Sequence, residues 1–156
     1  MKRLMTVVAM VTGFTALALA QTPGTTDMDI LRQKIKADKK LVVAENLMLT
    51  EAEGAKFWPV YDGYQKELQQ INERLKAVIL SYADAYNKGR VTDATAKKLI
   101  EDASAVDDAE ATLRRTALPK ILAVLPAAKA ARYVQIENKI RAVIRYELAA
   151  GIPLVQ

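Results

Sequence analysis

Residues 57–85 read FWPVYDGYQKELQQINERLKAVILSYADA, and this stretch decides the fold. Its apolar side chains recur at alternating spacings of four and three residues, a heptad pattern that places them along one stripe of a helix. The members of this stripe are Phe57, Tyr61, Tyr64, Leu68, Ile71, Leu75, Val78, Tyr82 and Ala85. The pattern predicts a helix over 51–87, about 55 Å long, with a long packing seam. Pro59 lies inside it and predicts a kink in the preceding turn.

Apolar residues at helical spacing predict three further helices, over 27–48, 93–123 and 126–149. No segment shows the strict alternation of a half-buried strand, and no glycine-rich phosphate loop is present. The predicted fold is therefore all-α, with four helices that form a helical hairpin or bundle, or a curved cradle.

Short polar signals mark where these helices begin. Thr50 and Glu53 have the spacing of a capping box, in which each side chain bonds the backbone N–H of the other residue. Thr92 is predicted to cap the third helix, and Pro126 is predicted at the first helical position of the fourth.

The stripes also predict which residues form the core. The aromatic residues at 57, 58, 61 and 64 are interpreted as core, the alternative being a partly exposed aromatic end of a binding surface. The third helix has an alanine-rich stripe that either packs closely or is only half covered. The residues predicted to be buried on the fourth helix are Tyr133, Ile136, Ile140, Val143, Ile144 and Leu148.

The first twenty residues have the three parts of a secretory signal peptide. Lys2 and Arg3 precede an apolar run, which ends in small residues, and cleavage is predicted after Ala20. Residues 21–26 are then a polar, flexible leader, and residues 27–156 are a single α-helical domain. We expect the mature protein in the bacterial periplasm or outside the cell, without a stable membrane span.

The composition removes most catalytic and metal chemistry. The 156 residues include no Cys and no His, and the net charge is +5. Disulfides, thiolate or imidazole metal sites and Cys or His catalysis are therefore excluded. Adjacent carboxylates such as Glu101 and Asp102 are interpreted as solvated, and no serine has a candidate base. We expect no catalytic residues, no metal, no cofactor and no enzymatic activity.

Positive charge is concentrated on the first and fourth helices, whereas the third is acidic. One interpretation is that these charged residues lie on solvated helix faces, and that opposite charges attract the third and fourth helices to each other. The other is a basic surface that attracts anionic partners. Nucleic acid is not expected, because the basic faces lack interleaved aromatics. The residues predicted to contact clients are Arg32, Lys36, Lys39, Lys40, Arg132, Lys139 and Arg145.

The sequence LTEAE at 49–53 resembles the LTxxQ motif of the small periplasmic stress proteins typified by Spy and CpxP. Leu49, Thr50 and Glu53 carry the likeness, with Glu53 in place of the motif's Gln. VLPAAK at 124–129 lies where a second copy would fall, but it keeps only the proline-led helix start. The resemblance implies a bent helical homodimer whose concave face holds unfolded proteins without ATP.

The sequence is therefore compatible with three functions. The first is an exported, chaperone-like client-binding protein of the envelope stress response. The second is a regulatory partner that binds the sensor domain of an envelope stress or metal-response system. The third is a structural helical module of an envelope complex.

Overall fold

The computed structural model describes residues 38–155, and four α-helices account for most of this part of the chain. They are α1 (Lys39–Leu47), α2 (Glu51–Asn87), α3 (Asp93–Val124) and α4 (Ala127–Gly151). No strand occurs within the described range, so the predicted all-α fold is confirmed. The predicted signal peptide, the leader and the beginning of the first helix lie outside the described residues.

The first helix does not run unbroken from residue 27 to 48, and that prediction is wrong. Asp38 has an extended backbone (φ −160°, ψ 99°), and its side chain accepts a hydrogen bond from the Leu41 N–H at 3.0 Å. A short acidic side chain in this position satisfies an otherwise unpaired N–H of the first turn and so starts a helix. The helix ends at Met48, whose left-handed backbone (φ 48°) turns the chain toward α2.

The predicted caps of α2 and α3 are confirmed. The Thr50 N–H donates to the Glu53 carboxylate at 2.8 Å, and the Glu53 N–H donates to the Thr50 hydroxyl at 3.3 Å, which completes the capping box. The Thr95 N–H donates to the Thr92 hydroxyl at 3.2 Å. Pro126 lies one position earlier than predicted, because its extended backbone (ψ 144°) makes it the residue before α4.

The three long helices lie alongside one another with alternating directions. α2 and α3 form an antiparallel hairpin and share the largest interface. α4 runs parallel to α2, since the Tyr133 ring packs near the start of α2 and the Tyr82 hydroxyl donates to the Pro153 carbonyl at its end. α1 packs across the beginning of α4. No described helix combines the length and the hydropathy of a membrane span.

Three of the four aromatic residues interpreted as core, Phe57, Tyr61 and Tyr64, are buried in it, at the end of the bundle where α2 begins. Phe57 is fully buried, and its ring centroid lies 5.0 Å from that of Tyr133 in an edge-to-face contact. Tyr61 packs against the same ring at 6.2 Å, and Trp58 is partly buried beside both α2 aromatics. Edge-to-face pairs of this kind add to the free energy gained by burial alone.

The heptad stripe is fully buried only in its first third. Phe57, Tyr61 and Tyr64 are buried, whereas every later member of the stripe that is described, from Leu68 to Ala85, is only partly buried. Along this later part of the stripe α3 offers small side chains such as Ala96 and Ala103, and few residues of α4 approach α2. Ile144 on α4 was predicted to be buried, but it is 43% exposed. The predicted seam is therefore closed at one end of the bundle and open at the other.

Candidate binding groove

A groove with a volume of about 560 Å³ lies between α2 and α4, and Leu68 and Leu75 from the open part of the seam line it. We call it the α2–α4 groove. Its apolar residues are Leu68, Leu75, Ile79, Leu80, Ile140, Ile144 and Leu148, and its polar borders are Gln69, Asn72 and Lys76 on α2 and Asn138, Arg141 and Arg145 on α4. Its size and its mainly apolar lining with a few polar groups are typical of ligand-binding sites.

A carboxylate from α3 lies among three arginines at the groove. Glu110 interrupts the apolar stripe of α3, and it accepts a hydrogen bond from Arg145 at 2.8 Å. Arg114 and Arg141 lie 3.6 Å and 3.9 Å from the same carboxylate. The Nη1 atom of Arg114 is buried and has no hydrogen-bond acceptor among the described residues. Arg145 also pairs with Asp107 at 2.5 Å, so two carboxylates face three guanidinium groups and this part of the groove keeps one net positive charge.

A hydrogen-bonded triad closes the other end of the groove. The Lys39 ammonium lies 2.8 Å from the Glu137 carboxylate and donates to the Gln65 side-chain oxygen at 3.0 Å, while the Gln65 amide donates to Glu137 at 3.1 Å. Glu137 is the one charged residue that is buried within residues 38–155. Burial, and secondly the nearby Glu137 charge, raise the pKa of Tyr64 and of Tyr133 above the usual tyrosine range. These phenols therefore stay neutral at all physiological pH values.

The residues that were predicted to contact clients do not lie together in the structure. Lys39 and Arg145 both line the groove, but each is held in an ion pair. Lys40 pairs with Asp62 at 2.7 Å and lies over the Trp58 ring.

The remaining members of that predicted set lie elsewhere. Arg132 and Lys139 are exposed on α4 and do not line the groove. Arg32 and Lys36 lie outside the described residues. The ion pairs of Arg145 with Asp107 and Glu110 agree with the predicted attraction between the third and fourth helices.

The predicted client contacts did not include Lys76, Arg114 and Arg141, which contribute three of the groove's cations. The available signal was Glu110, the charged residue within the apolar stripe of α3, since a carboxylate on that face requires cationic neighbours. Among residues 38–155 no cluster of carboxylates could hold a metal ion. The groove offers apolar contact and positive charge, which suit binding.

The two helix starts that carry the family resemblance lie side by side. Lys129, in the first turn of α4, pairs with Glu53 of the capping box and donates to the Met48 carbonyl at 3.2 Å. The bonds from Lys129 and from the Thr50 backbone lower the pKa of Glu53 to about 2. Leu49 packs against the core beside them.

This arrangement predicts a specific loss of stability in acid. Because the folded pKa of Glu53 lies below its ordinary value of 4.5, its contribution is complete above pH 4.5 and is lost as the pH falls toward 2. Glu53→Gln is therefore expected to reduce the decline in unfolding midpoint between pH 5 and pH 2.5, as measured by urea titration. Glu51→Gln, in the same turn, is the control and should keep the wild-type decline; equal profiles for all three proteins would contradict this role.

The comparisons with known proteins assign no family. No family model matches the chain, no curated protein is significantly similar to it, and no solved structure matches its fold.

Proposed function

We propose that this protein is an exported, ATP-independent client-binding protein that holds unfolded or partly folded polypeptides in the bacterial envelope. The observation that carries the proposal is the α2–α4 groove, in which apolar side chains lie between cationic borders. Such a surface can attract a partner through long-range charge and hold it by apolar contact. The signal-peptide pattern at 1–20 supports export, and the resemblance of 49–53 to the LTxxQ motif supports a role in envelope stress, with a homodimer as the active form.

Suppression of client aggregation tests the proposal directly. A reduced or heat-stressed client is incubated with the protein at equimolar ratio or in excess, and light scattering follows aggregation. We expect suppression at low ionic strength and weaker suppression at high salt, because exposed charges are screened beyond about 10 Å at 0.1 M salt. Absence of suppression under all these conditions would contradict the proposal.

Removal of groove cations is expected to weaken client binding. In Lys76→Gln/Arg141→Gln the groove loses two positive charges that are not part of the hydrophobic core. At about 0.2–1 kcal/mol for each exposed charge contact, the affinity for an acidic unfolded client should fall about 2- to 30-fold at low salt. The salt dependence of binding should become flatter as well.

The matched control is Lys97→Gln/Lys98→Gln, which removes the same charge from exposed positions on α3 that do not line the groove. It should bind clients as the wild type does. If both variants show the same fold-reduction in client affinity, the protein's overall charge rather than the groove attracts clients.

A regulatory partner is the second candidate function. The groove is bordered by two long helices, and such a site can also serve one defined protein. A pull-down that yields one stoichiometric membrane sensor, with no suppression of aggregation, would favour this alternative.

A further inference from the structure

Two polar rows of identical spacing border the α2–α4 groove. On each helix the second residue follows the first by three positions, and the third follows after four more. The rows are Gln69, Asn72 and Lys76 on α2, and Asn138, Arg141 and Arg145 on α4. Residues with this spacing lie one turn apart along a helix face, so polar groups follow both walls of the groove while apolar residues lie between them.

The dimensions of the groove match a helix. Its lining on α2 extends from Tyr64 to Leu80, which is about 24 Å at about 1.5 Å per residue. Three long helices already pack here with one seam open, so a fourth helix of about four turns would close it. An amphipathic helix in an apolar groove is a recurrent mode of recognition, with anchors at positions i, i+3, i+4 and i+7.

The charge of the groove specifies the flanks of that helix. Five cationic side chains and two carboxylates line it; the seven residues are Lys39, Lys76, Arg114, Arg141, Arg145, Glu110 and Glu137. Two carboxylates outside the lining pair with two of these cations, Asp107 with Arg145 and Glu73 with Lys76, so the surplus is one positive charge. A lipid has one anionic headgroup and would need its cations at one end, whereas the polar side chains here extend along both walls.

We propose that the α2–α4 groove binds an acidic amphipathic helix of the client polypeptide. The apolar stripe of that helix packs between α2 and α4, and its Asp and Glu side chains pair with Lys76 and Arg141, whose nearest carboxylates lie 3.8 Å and 3.9 Å away. This inference rests on the proposed client-binding function and names the kind of segment that is bound. The segment folds as it binds, because an isolated helix of this length is only marginally stable in water.

Labelled model peptides test the inference by fluorescence anisotropy. The probe is a peptide of about 16 residues with Leu at the a and d positions and Glu at the e and g positions. One comparison peptide carries Lys in place of Glu, and a second has the probe's composition in a scrambled order without an apolar stripe. We expect the probe to bind about tenfold more tightly than either comparison peptide, which corresponds to a difference of about 1.4 kcal/mol in binding free energy. Equal binding of the probe and the scrambled peptide would overturn the inference.

Two isoleucines provide a matched pair of variants. Ile144 lines the groove and is 43% exposed, whereas Ile100 on α3 is 67% exposed and does not line it. Ile144→Ser should weaken the probe about fivefold or more, within the range of truncated interface anchors, while Ile100→Ser should leave its affinity unchanged. Neither substitution alters a charge or the core. An unchanged affinity in Ile144→Ser would place the probe elsewhere and overturn the inference.

Photo-crosslinking identifies what lies in the groove. With p-benzoylphenylalanine at position 144, the expected product joins this position to the probe peptide. The inference would be overturned by a crosslink that persists with saturating probe and joins position 144 to a second copy of the protein or to residues of the same chain before Asp38. The inference would also be overturned if anionic lipid vesicles displaced the probe from the wild type but not from Ile144→Ser. If the protein suppresses aggregation but binds all three peptides with equal affinity, the helix proposal alone is refuted. If it binds the probe but does not suppress aggregation, the chaperone function is refuted.

Discussion

Phe57→Ala is expected to lower the free energy of unfolding by about 3–5 kcal/mol, the range for truncating a fully buried aromatic side chain. Phe57 has no exposed surface, and its ring contacts three other aromatic rings, those of Trp58, Tyr61 and Tyr133. The substitution removes the ring from the centre of this cluster and leaves a cavity. Because small domains are stable by only about 5–15 kcal/mol, this one change removes a large part of the total. Urea titration followed by far-ultraviolet circular dichroism measures the effect.

The same helix provides the control for this experiment. Leu75 belongs to the same heptad stripe but lies on the open part of the seam and is partly buried. Leu75→Ala should cost only about 1 kcal/mol, because less apolar area returns to water. If Phe57→Ala does not fold, Phe57→Leu provides a milder change of about 1–1.5 kcal/mol. Equal losses for Leu75→Ala and Phe57→Ala would mean that the seam is closed along its full length, contrary to the structure.

The helices could be predicted because their signals are local. Thr50 and Glu53 lie three residues apart, and Thr92 lies next to the helix that it caps, so the capping chemistry is visible within one turn of sequence. The error at Asp38 has the same origin. Apolar residues continue at helical spacing before it, and periodicity alone does not show that an acidic residue has an extended backbone and starts a new helix.

The groove could not be predicted because it depends on distances between elements far apart in sequence. Heptad spacing identified Leu68 and Leu75 as members of one stripe, but it does not tell whether another helix covers them. The same limit applies to charge. Lys39 was assigned to client contact, yet its partner Glu137 lies 98 residues away and was assigned no role.

Lys39→Met is expected to lower the free energy of unfolding by about 2–3 kcal/mol. Removing one partner of a buried ion pair costs about 3–5 kcal/mol, because the other charge is left in a poorly solvated place. The cost here is smaller, because the Lys39 side chain keeps 23% of its surface exposed and Gln65 still donates to Glu137. Lys40→Met is the matched control at the neighbouring position. Lys40 pairs with Asp62, and both side chains are about half exposed, so its loss should cost less than about 1 kcal/mol.

A double-mutant cycle separates the ion pair from other effects of the substitution. In Lys39→Met/Glu137→Gln no buried charge is left without its partner, so the double variant should be more stable than the sum of the two single losses predicts, by about 1–2 kcal/mol. Additive losses would show that Lys39 acts only through the packing of its aliphatic stem. Hydrogen exchange provides an independent measurement, since Lys39 ties α1 to Gln65 on α2 and to Glu137 on α4. In Lys39→Met the amides of α1 should exchange faster while those around Phe57 stay protected, because the aromatic core holds α2 against α4 without this pair.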